Sequence, residues 1–167
     1  MYDTIDVTQL DGLTNFKAAA GYVDGRFQTY AELPAHVPPG THLLSITVFG
    51  NSADCIDCEA GDATNEQAAQ WISSRLHTGH VRPVLYTSAG NVQTMVNLLW
   101  SQFGRARTLY RVWSAHYGVG EHICHPKGCG FPPVEGTQWT DRGPAGHANI
   151  DQSLMLDTFF PCDSTTT

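Results

Sequence analysis

Two amphipathic helical stretches, each set between short β-like segments, constrain the fold of this chain more than any other feature. Thr64 with Gln67 three residues on is a capping-box pattern, since the hydroxyl accepts from the Gln67 backbone N–H while the amide side chain reaches back. Ala68, Trp71, Ile72 and Leu76 then share one face, and Gly79 supplies a stop. From Asn91, the residues Val92, Met95, Val96, Leu99 and Phe103 repeat the spacing until Gly104. Trp71 and Trp100 lie on these helices and read as core.

Around the helices, β-like segments fall near residues 2–7, 20–24, 42–49, 54–59, 82–86, 108–113, 134–139 and 147–151. A shorter helix is expected over 13–19. Pro34, Pro38 and Pro39 limit any helix between the second and third segments to about a turn. The stretch 117–133, rich in Gly, Pro, Cys and His, reads as an elaborate loop. Strands alternating with helices predict parallel βα units, and three final strands with little helix between them predict a sheet that closes on itself. The expectation is an α/β chain forming a shortened (β/α)-type barrel, with about eight strands and few helices. It forms one domain over 1–162, followed by a flexible tail at 163–167.

Composition removes several function classes. The formal charge is -7, from 9 basic and 16 acidic residues, and no Lys or Arg cluster tracks a phosphate backbone, so nucleic acid is not an expected partner. No apolar run is long enough for a membrane-spanning helix, so membrane insertion is not expected either. The N-terminus lacks a basic and apolar leader, so no signal peptide is expected.

The stretch CIDCEAGDAT, residues 55–64, places Asp57 and Glu59 two apart on a strand, hence on one face and roughly 7 Å apart along the chain. In (β/α) barrels the chemistry sits at the C-terminal ends of the strands. Asp6, Asp24, Glu59 and Asp151 end the first, second, fourth and eighth segments and are expected to converge on one mouth. Asp3 and Asp24 are also candidates, although strand-end acids often cap neighbouring backbone. Asp11, Asp54, Asp62 and Asp141 read as caps and turns. Crowded carboxylates cannot all ionise cheaply, and a Glu of raised pKa beside an ionised Asp is the pairing that cleaves a glycosidic bond.

The motifs IDVTQ (5–9), AAGYVDGRF (19–27), CIDCEAGDAT (55–64), RPVLYTS (82–88), RVWSAHY (111–117), GTQWTD (136–141) and NIDQSL (149–154) together resemble the family 25 glycoside hydrolases. Those are lysozymes, N-acetylmuramidases of peptidoglycan, and the similarity is nearest to compact actinobacterial and bacteriophage domains of that type. The resemblance implies a catalytic set of Asp6, Asp57, Glu59 and Asp151, with Glu59 the proton donor and Asp57 assisting. It implies a cleft lined by Tyr86, Trp113, Tyr117 and Trp139, with Asp24 a further substrate-binding candidate. It calls for no metal and no cofactor.

The partner implied is the peptidoglycan glycan strand, with other virion proteins as further candidates. The site of action is the bacterial cell wall, reached through phage lysis or as a virion component. The family's Y-H-F segment after the third strand has no counterpart in HLLSITVFGN. The alternative is therefore a catalytically weak or inactive glycan-binding or structural module of a phage particle.

The chain has five cysteines. Cys124 and Cys129 enclose a loop tight enough for a disulfide, which is the expected state. With His122 and His125 they also carry the residue types of a zinc site, and that reading is set aside. Cys55 and Cys58 face opposite sides of a strand and are not expected to bond each other, whereas Cys162 is a partner for one of them. His116 and His147 are expected near the mouth in structural or cleft-lining roles.

Overall fold

The computed structural model describes residues 1–144 and 146–160. Eight strands follow one another around a closed barrel: β1 (Tyr2–Thr4), β2 (Ala18–Tyr22), β3 (His42–Thr47), β4 (Cys55–Cys58), β5 (Val84–Ser88), β6 (Arg111–Ala115), β7 (Gly136–Thr140) and β8 (Ile150–Met155). Strands β1 to β7 pair in parallel with their neighbours in sequence. Strand β8 runs antiparallel to both β7 and β1 and closes the ring. The expected shortened barrel with few helices is therefore the observed fold.

Alternation along the strands divides the apolar residues between two layers. Ala20, Leu44, Ile46, Cys55, Val84, Tyr86 and Trp113 pack with Phe159 in one cluster that fills the barrel. Ile56, Cys58, Leu85 and Val112 face outward, beneath the two long helices. Gly136 opens β7 because a Cβ there would run into Met155 and Trp113, so the inside of the barrel has room for those side chains only if this position has none.

The helices are α1 (Leu33–His36), α2 (Asn65–His77), α3 (Val92–Phe103) and α4 (Pro126–Cys129). In α2 the capping box forms as the sequence predicts, with the Gln67 N–H donating to Thr64 Oγ1 at 3.3 Å and the Thr64 N–H donating to Gln67 Oε1 at 2.9 Å. Gly104 ends α3 in the left-handed conformation. The Pro-limited single turn after β2 is α1, and α4 is a short helix inside the stretch read as a loop.

Three expectations are corrected. No helix forms over 13–19. Asp6 instead caps a 3-10 turn at Val7–Leu10, and the chain then reverses through Gly12 at φ +77° to enter β2. Trp100 is 64% exposed, one helical step (100°) round from the buried Leu99, so of the two helix tryptophans only Trp71 is core. Strands β6 and β8 begin later than the pattern suggests. A 3-10 turn occupies Arg107–Leu109, and Asn149, at φ +56°, breaks extended backbone just before β8. The tail at 163–167 and Cys162 lie outside the described residues.

Replacing Thr64 by Ala removes the cap from the helix that covers β4. The expected outcome is a loss of about 1 kcal/mol in unfolding free energy with an unchanged urea m-value, measured by equilibrium unfolding followed by circular dichroism.

Candidate active site

Acids from three strands meet at one end of the barrel. Asp3 on β1 lies directly across from Asp151 on the antiparallel β8. Asp57 points inward from β4, and Glu59, two residues on, continues the same face just beyond the strand. The charges of Asp151, Asp57 and Glu59 all act on Asp3, whose own side chain is buried. Asp3 Oδ1 and Asp57 Oδ1 are buried without a hydrogen-bond partner among the described residues. Two carboxyl oxygens are thus buried among these acids and left without partners by the fold.

Polar groups from the intervening strands complete the ring. Tyr22 Oη, from β2, reaches Asp57 Oδ2 at 3.5 Å. Tyr86 on β5 donates to Gln138 Oε1 on β7, and Gln138 Nε2 donates to Asp151 Oδ2 at 2.5 Å. With its carbonyl already accepting from a phenol, the Gln138 amide is fixed in the orientation that gives Asp151 a donor. Two hollows flank the acids. One, about 200 Å³, is bounded by Asp3, Tyr22, Asp141 and Asp151. The other, about 390 Å³, lies between Glu59, Asp62 and the start of α2.

Burial and mutual repulsion raise the acids' pKa values together. Desolvation, aided by Asp62 and Glu59, pushes Asp57 up to about 8. Desolvation pushes Asp151 up to about 6, with Asp141 adding to the rise and the Gln138 hydrogen bond opposing it. Asp3 is held well above the usual carboxylate range by burial first and by Asp151 next. Glu59, half-buried at the rim, is raised by desolvation and then by Asp62. The cluster therefore holds protons near neutral pH, deepest at Asp3 and Asp57.

The residues expected from sequence are distributed as follows. Asp57, Glu59 and Asp151 come together. Asp6 does not join them, because β1 ends at Thr4 and the chain turns away. Its carboxylate accepts from the Thr8 N–H at 3.2 Å and Thr8 Oγ1 at 2.7 Å, and these bonds lower its pKa. Asp3 occupies the place on the first strand that Asp6 was expected to fill. Asp24 is buried and fully engaged by Thr47 Oγ1, the Val48 N–H at 2.7 Å and Asn51 Nδ2 at 2.8 Å, anchoring a loop.

Among the aromatics, Tyr86 lines the interior beneath the acids. Trp113 is 1% exposed, tilted against Tyr86 at 4.4 Å, with Nε1 donating to Ser153 Oγ at 3.0 Å, so it forms the floor and not a cleft wall. Trp139 follows the inward Gln138 and so faces out, lining a separate cavity of about 540 Å³ with Phe16, His42 and Phe160. Tyr117 is half-exposed at the rim, close enough to Tyr86 and Asp151 to feel both. Gln138 and Tyr22 went unnoticed in sequence. The Q-W pair in GTQWTD was the available signal for Gln138, since only one of its two residues faces inward.

The disulfide expected between Cys124 and Cys129 is not formed, and all four described cysteines are free. The Cys124 sulfur is directed at His116 Nδ1, 3.1 Å away, and His122 Nε2, 3.3 Å away. Cys55 packs inside the barrel and Cys58 outside it, as alternation requires, and the two are not bonded. His147 is structural, its Nδ1 donating to the Gln9 carbonyl at 2.6 Å. No helix among the described residues is long and apolar enough to cross a membrane.

No protein-family model and no curated protein matches the chain. Among solved structures it is similar to the bacterial lysozyme from Streptomyces coelicolor, with a TM-score of 0.52 and 14% identity over 91% of this chain and 86% of that chain. It is also similar to the spore cortex lytic enzyme SleM of Clostridium perfringens, with a TM-score of 0.52 and 14% identity over 90% of this chain and 64% of that chain. The chain thus shares its barrel fold with a bacterial lysozyme and a spore cortex lytic enzyme.

A carboxyl whose folded pKa lies above its unfolded value stabilises the protein fully below the unfolded value, and that contribution is lost as pH rises through the folded one. For Asp57 the window runs from about pH 4 to about pH 8. Asp57→Asn, neutral throughout, is expected to melt above the wild type near pH 8. The margin should be several degrees, at roughly 2–4 °C per kcal/mol, and it should close near pH 4. Scanning calorimetry across that range checks it, and parallel curves would refute the proton assignment.

Proposed function

We propose that the protein is a lysozyme-type glycoside hydrolase that cleaves the muramic-acid linkage of peptidoglycan. The observation that carries this reading is the group of acids from β1, β4 and β8, held partly protonated around an open rim. The similarity to a lysozyme and a spore cortex lytic enzyme supports it, as do the motifs of the sequence.

Glu59 is the general acid. It is half-buried, its pKa is raised, and of Asp3, Asp57, Glu59 and Asp151 it is the one that borders the larger hollow. Its proton passes to the glycosidic oxygen as the bond to the anomeric carbon breaks. Asp57, two residues earlier on the same strand face, has Oδ1 buried and unpartnered, an acceptor for the N–H of a substrate acetamido group once the rim opens to it. That contact turns the acetamido oxygen onto the anomeric carbon, where it forms the new bond. Water then opens the cyclic intermediate, giving its proton to the Glu59 carboxylate and restoring the acid.

A pKa near 8 leaves Asp57 mostly protonated at neutral pH and hence a poor direct nucleophile, which favours this substrate-assisted course. Asp3 and Asp151, with Gln138, hold the charge balance of the pocket. Tyr117 offers its ring face to a sugar and its hydroxyl to the rim.

A second reading, glycan binding without turnover, draws on one observation. The hollow at Asp3 and Asp151 is about 200 Å³, below the roughly 300–1,000 Å³ usual for a ligand pocket. The bacteriophage setting, by release at lysis or carriage on the virion, rests on the sequence resemblance alone.

Incubation with purified peptidoglycan followed by mass analysis of the soluble fragments is expected to release products with muramic-acid reducing ends. Glu59→Gln should lower the rate by about 10²–10⁴-fold, with an unchanged circular-dichroism spectrum. Retained wall binding with no soluble fragments from the wild type would decide for the binding module. Detection of the chain in purified virions tests the phage setting.

A further inference from the structure

The connection from β6 to β7 is long for a compact barrel and contains only the short helix α4. Four of its side chains converge. His116 follows the last residue of β6, His122 and Cys124 lie in the loop, and Cys129 ends α4, giving the spacing H-x5-H-x-C-x4-C. One donor atom from each lies within 4.8 Å of all the others. His116 Nδ1 is 3.0 Å from His122 Nε2, and Cys124 Sγ is 3.1 Å and 3.3 Å from those two nitrogens. In a tetrahedron with Zn–S near 2.3 Å and Zn–N near 2.0–2.1 Å, neighbouring ligand atoms stand about 3.3–3.8 Å apart, so His116, His122 and Cys124 need only a few tenths of an ångström of adjustment and Cys129 Sγ, within 4.8 Å of each, needs about 1 Å at most.

The surroundings prepare the donors. His122 Nδ1 donates to the Gly120 carbonyl at 2.7 Å, which commits the ring proton to that side and leaves Nε2 with a lone pair facing the sulfur. The Cys124 N–H donates to Thr137 Oγ1 on β7 at 2.9 Å, tying the loop to the barrel wall, and the thiol itself is fully buried. The Cys129 N–H donates to the His125 carbonyl at 2.8 Å, so α4 presents its last side chain to the group. His125 stands outside it, its ring lying against Gly128 instead.

The geometry points to a structural zinc site formed by His116, His122, Cys124 and Cys129 that clamps the β6–β7 connection. Two imidazoles and two thiolates are the donor set that selects Zn²⁺, and four protein ligands leave no open position for water. On binding, both thiols give up their protons to solvent, and the two thiolates neutralise the dication, so the half-buried site carries no net charge. The zinc reading set aside on sequence grounds, with His125 among its ligands, returns with His116 in that place. This site is separate from the acids and does not depend on the hydrolase reading. Tyr117, adjacent to His116, links it to the rim.

The test is metal analysis of protein purified under reducing conditions without chelator, then stripped and reconstituted with zinc. One zinc per chain is expected, with X-ray absorption showing two sulfur and two nitrogen neighbours. Cobalt in its place should give the visible bands and thiolate charge-transfer absorption of a tetrahedral site. Cys124→Ser and Cys129→Ser should lose the metal, and His125→Ala should keep it.

The wild type also supplies a readout that does not depend on the folding of any variant. Trypsin should cut at Lys127, inside the loop, far faster after zinc removal. Substoichiometric zinc in the folded, reduced wild type overturns the proposal. So does a Cys124–Cys129 disulfide in the freshly purified chain, or loss of zinc from His125→Ala to the same degree as from Cys124→Ser.

Discussion

The reversal of β8 is the constraint on which the rest of the structure depends. Seven parallel strands make a curved sheet with two open edges, each a row of unpaired backbone groups. Strand β8 fills the gap by pairing antiparallel with β7 on one side and β1 on the other, and the terminal amine of Met1 donates to the Ser153 carbonyl at 2.8 Å. Because β8 runs the other way, its first residues are the ones that reach the mouth, where Asp151 meets Asp3. Closure thus satisfies two strand edges and at the same stroke forces two carboxyls together. The fold offsets that repulsion by keeping protons in the cluster and by giving Asp151 the amide of Gln138.

Alternation along the strands then decides which side chains share the site. Asp3, Asp57, Tyr86, Trp113 and Gln138 face in, while Cys58 and Trp139, one residue along from Asp57 and Gln138, face out. A residue's role follows from its parity as much as from its chemistry. Trp113 and Phe159 fill the barrel below the acids, and the wall cannot yield without disturbing that packing. The rigid floor and the short Tyr86–Gln138–Asp151 chain hold the acids in register from below, while the rim above stays open at Glu59 and Tyr117.

Much of this was legible in the sequence. Helices α2 and α3 announce themselves through period and caps, and the strands through short β-rich runs between turn residues. Asp57 and Glu59 were readable because one strand carries both, so their common face needs no tertiary information. Asp6 and Asp3 could not be separated in this way. Which acid points inward depends on whether β1 ends at Thr4 or runs on, and that is set by the cap Asp6 makes with Thr8. Trp113 and Trp139 are both strand tryptophans, and only the closed barrel shows that one is floor and the other outer wall. The pairing of Cys124 was misread because His116, eight residues before it, becomes a neighbour only when the long connection folds back.

The shortening of the barrel explains why that connection matters. Helices α2 and α3 cover the outer faces of β4 and β5 and pack on each other. The β6–β7 connection has no long helix. It covers its part of the wall with Phe131, Val134 and the buried Cys124, a thin apolar layer for so much chain. A loop of that kind has many conformations to lose on folding, and a few buried side chains repay little of that entropy. Four convergent donors supply what the missing helix would have supplied, a fixed geometry from His116 to Cys129. Tyr117 is the residue that carries this to the rim, since its backbone position is set by His116 while its ring stands free beside Asp151. On the proposed hydrolase reading the clamp therefore bears on how a sugar is held at the rim, while the protonation of Glu59 is set by its burial and by Asp62.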